Sequence, residues 1–305
     1  MSINPNRLPV SRTHNYWRMM QPICQALAIL AATSFPCRAD DGFISSGTIV
    51  VVEFAADRFI VAADSRVANT NKFDACKILP LGDKMFVVMN GRIASNPPNN
   101  YLDAFAAART SFDAIKRTPA GKDQLRQVVD QWVETITPQF NEMFKRDPDG
   151  FFVNEARDNL LIATFGGVDE KGNLHGYVVY VQFYFSVEKD MPDTQFVPHL
   201  KPYVIPWNYD PRDGVWPSGE PDKIGVLEFL NGRTPRAARA QADFLKKTSA
   251  DPTADVEALR IQAALESAID WAIHPELIGR PVDLMELRKG GTIHWIHRKP
   301  NCPAN

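Results

Sequence analysis

Thr48, Asp64 and Ser65 are the first residues whose types and spacing suggest chemistry. Gly47-Thr48 opens an apolar run that reaches Phe54, and a second run, Arg58 to Ala63, leads into Asp64-Ser65-Arg66. Only Ala55-Ala56-Asp57 separates the two. Val, Ile and Phe dominate both runs, as buried strands require. So short a break predicts an antiparallel hairpin. With the turn centred near Ala56 and Asp57, Thr48 falls opposite Asp64 and Ser65. A hydroxyl then sits beside a carboxylate at the rim of an apolar sheet, a pairing suited to nucleophilic catalysis.

The rest of the chain must supply the frame. It has 305 residues, enough for one large domain or two small ones. Hydrophobic residues make up 45% and charged residues 23%, so a sizeable core is expected. The net charge of −2 gives no ground for a nucleic acid or an anionic membrane as partner. No Cys/His spacing resembles a zinc site, and nothing in the sequence calls for a metal or cofactor.

Arg7, Arg12 and Arg18 precede an apolar run from about Ile23 to Phe35, and Pro36-Cys37-Arg38-Ala39 offers small residues for a cut after Ala39. This is the layout of a secretory signal peptide over residues 1–39, and it predicts export to a periplasmic or extracellular space. The run is short for a membrane span. Cys24 and Cys37 would leave with the signal, and Cys76 and Cys302 would remain. Their distance, and so their pairing, is not legible in sequence.

Residues 40–47 read as a short linker or propeptide, and 48–298 as the domain. After the hairpin, Cys76 to Leu81 and Lys84 to Met89 are strand candidates, the second ending at Asn90-Gly91. Asn96-Pro97-Pro98-Asn99-Asn100 supplies helix-start residues. Tyr101–Arg117 and Leu125–Phe144 carry apolar stripes at helical spacing, read as core packing. Strands return at 159–167 and 174–181. Asp190 to Pro217 is rich in proline and aromatics without periodicity, which predicts an irregular functional loop or insertion. Helices are expected over 224–229, 237–247 and 256–273, then strands over 282–287 and 292–296. Strands, helices, strands, helices and strands in that order predict one α+β domain of two stacked antiparallel sheets flanked by helices.

Gly47-Thr48 with its apolar strand, Val61-Ala62-Ala63-Asp64-Ser65-Arg66, Lys77-Ile78 and Gly91 together resemble proteasome β-type subunits and bacterial proteasome-like proteases. These are N-terminal nucleophile hydrolases with a four-layer αββα sandwich. The likeness covers most of Thr48 to Ile296, strongly as far as Gly91 and weakly beyond it. It implies Thr48 as nucleophile, Asp64 and Lys77 as the charged pair beside it, and Gly91 as backbone donor to an oxyanion. The chemistry suits those types. A threonine hydroxyl needs a base. Its own α-amine, once freed by cleavage of Gly47–Thr48, has a pKa of about 7.7–8.0. A neighbouring ammonium held by a carboxylate favours the alkoxide, and one oxyanion donor contributes about 3–4 kcal/mol.

Read singly, each residue has a plainer explanation: a strand start, a turn cap, a solvated lysine, a strand-to-helix turn. Their joint order favours a site. The sequence departs from the resemblance in places. The Asp64–Lys77 connection is short, Asn90-Gly91-Arg92 replaces a run of small residues, and the Asp and Ser that support the terminal amine have no clear match. Ser218, followed by Gly219, and Glu276 or His274 are the secondary candidates. The expected activity is hydrolysis of a peptide or other amide through an acyl-enzyme on Thr48. A homo-oligomer fits, and export implies no ATPase partner. The rivals are a non-catalytic assembly or binding protein on the same frame and a small-molecule amidohydrolase.

Overall fold

The computed structural model describes residues 43–46, 49–66, 76–95, 102–117, 123–146, 160–187, 196–207, 214–218, 223–272, 275, 278–300 and 302–303. The hairpin is β2 (Val50–Phe54) and β3 (Arg58–Ala63), antiparallel with Phe54 opposite Phe59 and Val50 opposite Ala63. Ala55 N–H closes the turn on the Arg58 carbonyl at 2.8 Å. β10 (Asp283–Arg288) and β11 (Ile293–His297) extend this sheet past β3, and β9 (Val215–Ser218) pairs with β2 on the other side. The order is β11-β10-β3-β2-β9.

The second sheet runs β1-β5-β6-β7-β8, formed by Phe43–Ser46, Met85–Ser95, Leu161–Val168, Leu174–Val187 and Phe196–Trp207. A short sixth strand, β4 (Ile78–Pro80), pairs with β5 along Phe86–Val88, while β1 pairs with it along Gly91–Ser95. β1 and β4 therefore share one edge of β5 end to end. Every pairing is antiparallel.

Successive strand residues point to opposite faces, and both faces of the hairpin are covered. Val50, Val52, Phe59 and Val61 meet Phe86 and Val88 between the sheets. Ile49, Val51, Ile60 and Ala62 face Phe229, Ile261 and Leu265. Those residues come from α3 (Lys223–Asn231) and α5 (Val256–Asp270), and α4 (Pro235–Thr248) joins the same layer. On the outer face of the second sheet, Trp132, Ile136 and Phe140 of α2 (Gln124–Arg146) pack on Phe165 and Val179, beside α1 (Ala104–Lys116). The fold is a four-layer αββα sandwich. Double-sided burial is why the strand sequences are unbroken apolar runs rather than alternating ones.

Three expectations change. β5 continues through Gly91 to Ser95, because β1 supplies backbone partners beyond the expected end. The α1 cap is Asp103, whose carboxylate accepts from Ala106 N–H at 2.8 Å; Asn96–Asn100 lie outside the described residues. The supposed irregular segment contains a twelve-residue strand, β8, paired with β7 along its whole length. Its prolines, Pro198, Pro202 and Pro206, are spaced by four, so all three have the same orientation in the ladder. β8 is an edge strand, where a missing N–H is tolerated when it faces away from the neighbour.

Candidate functional site

The hairpin register brings β2's start and β3's end together. Asp64 N–H donates to the Ile49 carbonyl at 3.3 Å, and Ile49 N–H donates to Asp64 Oδ1, also at 3.3 Å. The ladder thus continues one step past Val50–Ala63, with the Asp64 side chain standing in for a backbone acceptor. Lys77, just before β4, places Nζ 2.5 Å from the same Oδ1. Oδ2 accepts N–H bonds from Arg66 at 3.1 Å and Gly279 at 3.2 Å. Both Asp64 and Lys77 are 0% exposed. A buried carboxylate needs its charge met by donors, and the sequence supplies three backbone N–H groups and one ammonium. Burial pushes the Lys77 ammonium below its ordinary range, and the adjacent Asp64 carboxylate pulls it back up.

Gly91 lies across the gap between the sheets, opposite Ser46 on one side and Leu161 on the other. Its φ is +99°, and a Cβ there would come within 2.4 Å of the Leu160 carbonyl oxygen. Only glycine fits. β5 also bulges here: Ile44 pairs with Ala94 and Ser45 with Arg92, which leaves Ile93 unmatched. Bulges re-aim the backbone beside sites.

Gly47 and Thr48 are outside the described residues, but both flanks are placed. Ser46 ends β1 beside Gly91 in one sheet, and Ile49 adjoins Asp64 in the other. Ser218 is 4% exposed and lies opposite Val50 in β9. A row Asp283, Ala63, Val50, Ser218 therefore crosses the hairpin sheet next to Asp64. Glu276 and His274 are likewise outside the described residues. The segment beyond them returns to the site, since the Gly279 carbonyl accepts from Ser65 N–H at 3.1 Å.

Sequence reasoning missed Gly279, Asp283 and Lys299. Asp283 at the head of an apolar strand was the one visible signal, because a carboxylate at an inward position needs a counter-charge. Its counter-charge is Lys299, with Nζ 2.7 Å from Oδ2. Cys76, next to Lys77, forms a disulfide with Cys302 across a Cα–Cα distance of 5.4 Å.

A cavity of about 520 Å³ opens at the other end of the second sheet, lined in part by Lys84, Asp123, Asp169 and His175. None of the candidate residues borders it. Two of its carboxylates, Asp169 and Asp123, are engaged locally. Asp169, held down to about 2 chiefly by the Asn173 N–H, also contacts His175 at 3.0 Å. Asp123 accepts from the Tyr177 hydroxyl at 2.5 Å. The Asp64–Lys77 pair lies apart from this cavity. No cluster of His, Cys, Asp and Glu among the described residues is arranged to hold a metal ion. Nor is any helix among them long and apolar enough to cross a membrane.

No protein-family model matches this sequence, and no curated protein shows significant similarity to it.

Proposed function

We propose that the protein is an exported threonine-type N-terminal nucleophile hydrolase acting on a peptide or other amide. The observation that carries this reading is the buried Lys77–Asp64 pair on Ile49 N–H, the residue directly after Thr48. Ile49, the residue hydrogen-bonded to Asp64, is therefore the covalent neighbour of the proposed nucleophile in sequence. Ser46, two residues before Thr48, ends opposite Gly91 and ties the same segment to the oxyanion donor.

In this reading Thr48 Oγ1 attacks the Gly47 carbonyl carbon, the peptide C–N bond breaks, and the nitrogen leaves as the α-amine. Water then hydrolyses the resulting ester and frees Thr48. The amine next serves as base while Oγ1 attacks a substrate amide, giving an acyl-enzyme and releasing the amine half of the substrate. Lys77 favours the developing alkoxide, and Asp64 holds Lys77. Gly91 N–H donates to the oxyanion. Loss of β1 would leave the Gly91–Ser95 stretch of β5 as an edge on which an extended peptide can add as a strand. The Cys76–Cys302 disulfide supports an oxidising compartment and so supports export.

The 0% exposure of both Asp64 and Lys77 favours a second reading, in which the pair is structural and the sandwich serves assembly or binding. Sequencing the mature N-terminus of wild type and Thr48→Ala separates the two. A start at Thr48 in wild type, lost in Thr48→Ala and kept in Thr48→Ser, supports the hydrolase. A start at Asp40 in all three, with no labelling by a threonine-directed covalent probe, supports the scaffold.

A further inference from the structure

Lys77 is held from two directions. Its own side chain reaches Asp64, and the residue before it is bridged to Cys302. Cys302 N–H donates to the Lys299 carbonyl at 3.1 Å, so the bridge is anchored on a turn that begins at Lys299. Lys299 is fixed twice to Asp283: Nζ lies 2.7 Å from Oδ2, and its backbone N–H donates to Oδ1 at 3.0 Å. Asp283 in turn pairs with Ala63, the neighbour of Asp64. The path from Asp64 through Lys77, the bridge, Lys299 and Asp283 back to Asp64 is a closed ring.

Both ion pairs in the ring are buried: Lys299 is 5% exposed and Asp283 is 1% exposed. Two carboxylates and two ammonium groups make the ring neutral. They also act on one another, since Lys299 lowers the affinity of Lys77 for its proton while Asp64 and Asp283 raise it. The separation of 226 between the cysteines leaves the bridge to tertiary structure, while Asp283 and Lys299 flank the β10–β11 hairpin.

We infer that Asp283, Lys299 and the Cys76–Cys302 bridge are positioning groups for the Lys77 ammonium. Asp283 and Lys299 set the charge around it, and the bridge keeps it buried on Asp64. The inference rests on the reading of Lys77 as the group beside the nucleophile, but it is measured on Lys77 itself. Among the described residues the charged groups acting on Lys77 are Asp64 after β3, Asp283 in β10 and Lys299 after β11.

The experiment is trace acetylation of the folded full chain with acetic anhydride between pH 6 and 11. Lys77 modification is read by mass spectrometry against exposed Lys289. Dithiothreitol, which gives two electrons and two protons to open the bridge to two thiols, is expected to raise relative Lys77 labelling at least tenfold, and Cys302→Ser to do the same. Lys299→Met is expected to move the Lys77 labelling midpoint upward by about one pH unit, because a nearby positive charge is lost and Asp283 is left unpaired. Lys299→Arg keeps the charge and is expected to leave the midpoint in place.

Unchanged Lys77 labelling with both thiols titrating as free overturns the role of the bridge. Equal midpoints in Lys299→Met and Lys299→Arg overturn the role of the second pair. Should Lys299→Met not fold, the reduction arm decides for the whole ring. Thr48 does not enter these readouts. An inert Thr48 with a responsive Lys77 therefore sinks the hydrolase and leaves the ring, while the reverse result sinks the ring alone.

Discussion

Ile49 N–H and Lys77 Nζ meet on one oxygen, Oδ1 of Asp64, at 3.3 and 2.5 Å. Asp64 therefore joins the start of β2 to the approach to β4, one strand in each sheet. It is a structural joint of the sandwich as well as the centre of the candidate site.

That double role predicts large stability effects from single changes. Asp64→Asn and Lys77→Met each leave one buried charge unpaired and are expected to cost about 3–5 kcal/mol. The double variant is expected to recover a large part of the loss. Urea unfolding of the three variants and wild type gives the coupling, and additive losses would show that the two side chains do not act as a pair.

Gly91 is predicted to reject any side chain. Gly91→Ala brings a Cβ to 2.4 Å from the Leu160 carbonyl oxygen at φ +99°, so the β5–β6 ladder must move. The expected cost is at least about 1–3 kcal/mol. If Gly91 is the oxyanion donor proposed above, threonine-probe labelling should also be lost in this variant. Wild-type stability in Gly91→Ala would refute this account of the position.

Glu228 supplies a pH test. Its carboxyl is held down to about 2, first by hydrogen bonds from Arg236 and then by the Thr234 hydroxyl, at the start of α4. A folded value below the unfolded one means the folded state binds the proton less tightly. The contribution is therefore fully present above about 4.5 and is lost as pH falls through about 2. Glu228→Gln should lower the urea midpoint at pH 6 and differ little from wild type near pH 2. A pH-independent difference would mean that the charge is irrelevant.

The prolines of β8 are predicted to protect an edge. Pro202→Ala would add an N–H to the last strand of this sheet, with little expected effect on stability. Combined with Pro198→Ala and Pro206→Ala, it should increase concentration-dependent association, read by sedimentation velocity. A stable triple variant that stays at the wild-type sedimentation coefficient over a wide concentration range would remove the proposed reason for these residues.

The local elements were largely legible in the sequence. The hairpin could be read because its two runs are so close that register follows from the turn, and Val50 duly faces Ala63. The helical stripes of α1 and α2 could be read because each buries one face. β8 escaped because proline hides the strand pattern, and its placement depends on an edge that exists only once β7 is in the sheet.

For the candidate site, the sequence alone determined the residue types at 48, 64, 77 and 91, their order, and the short hairpin that sets Ile49 against Asp64. Tertiary structure alone decided that Lys77 reaches Asp64 and that Gly279 closes over its second oxygen. Cys76 finding Cys302 belongs with these. The reason is physical. Turn geometry and side-chain periodicity act over a few residues, whereas a buried charge selects its partner by distance and desolvation after both sheets have closed on it.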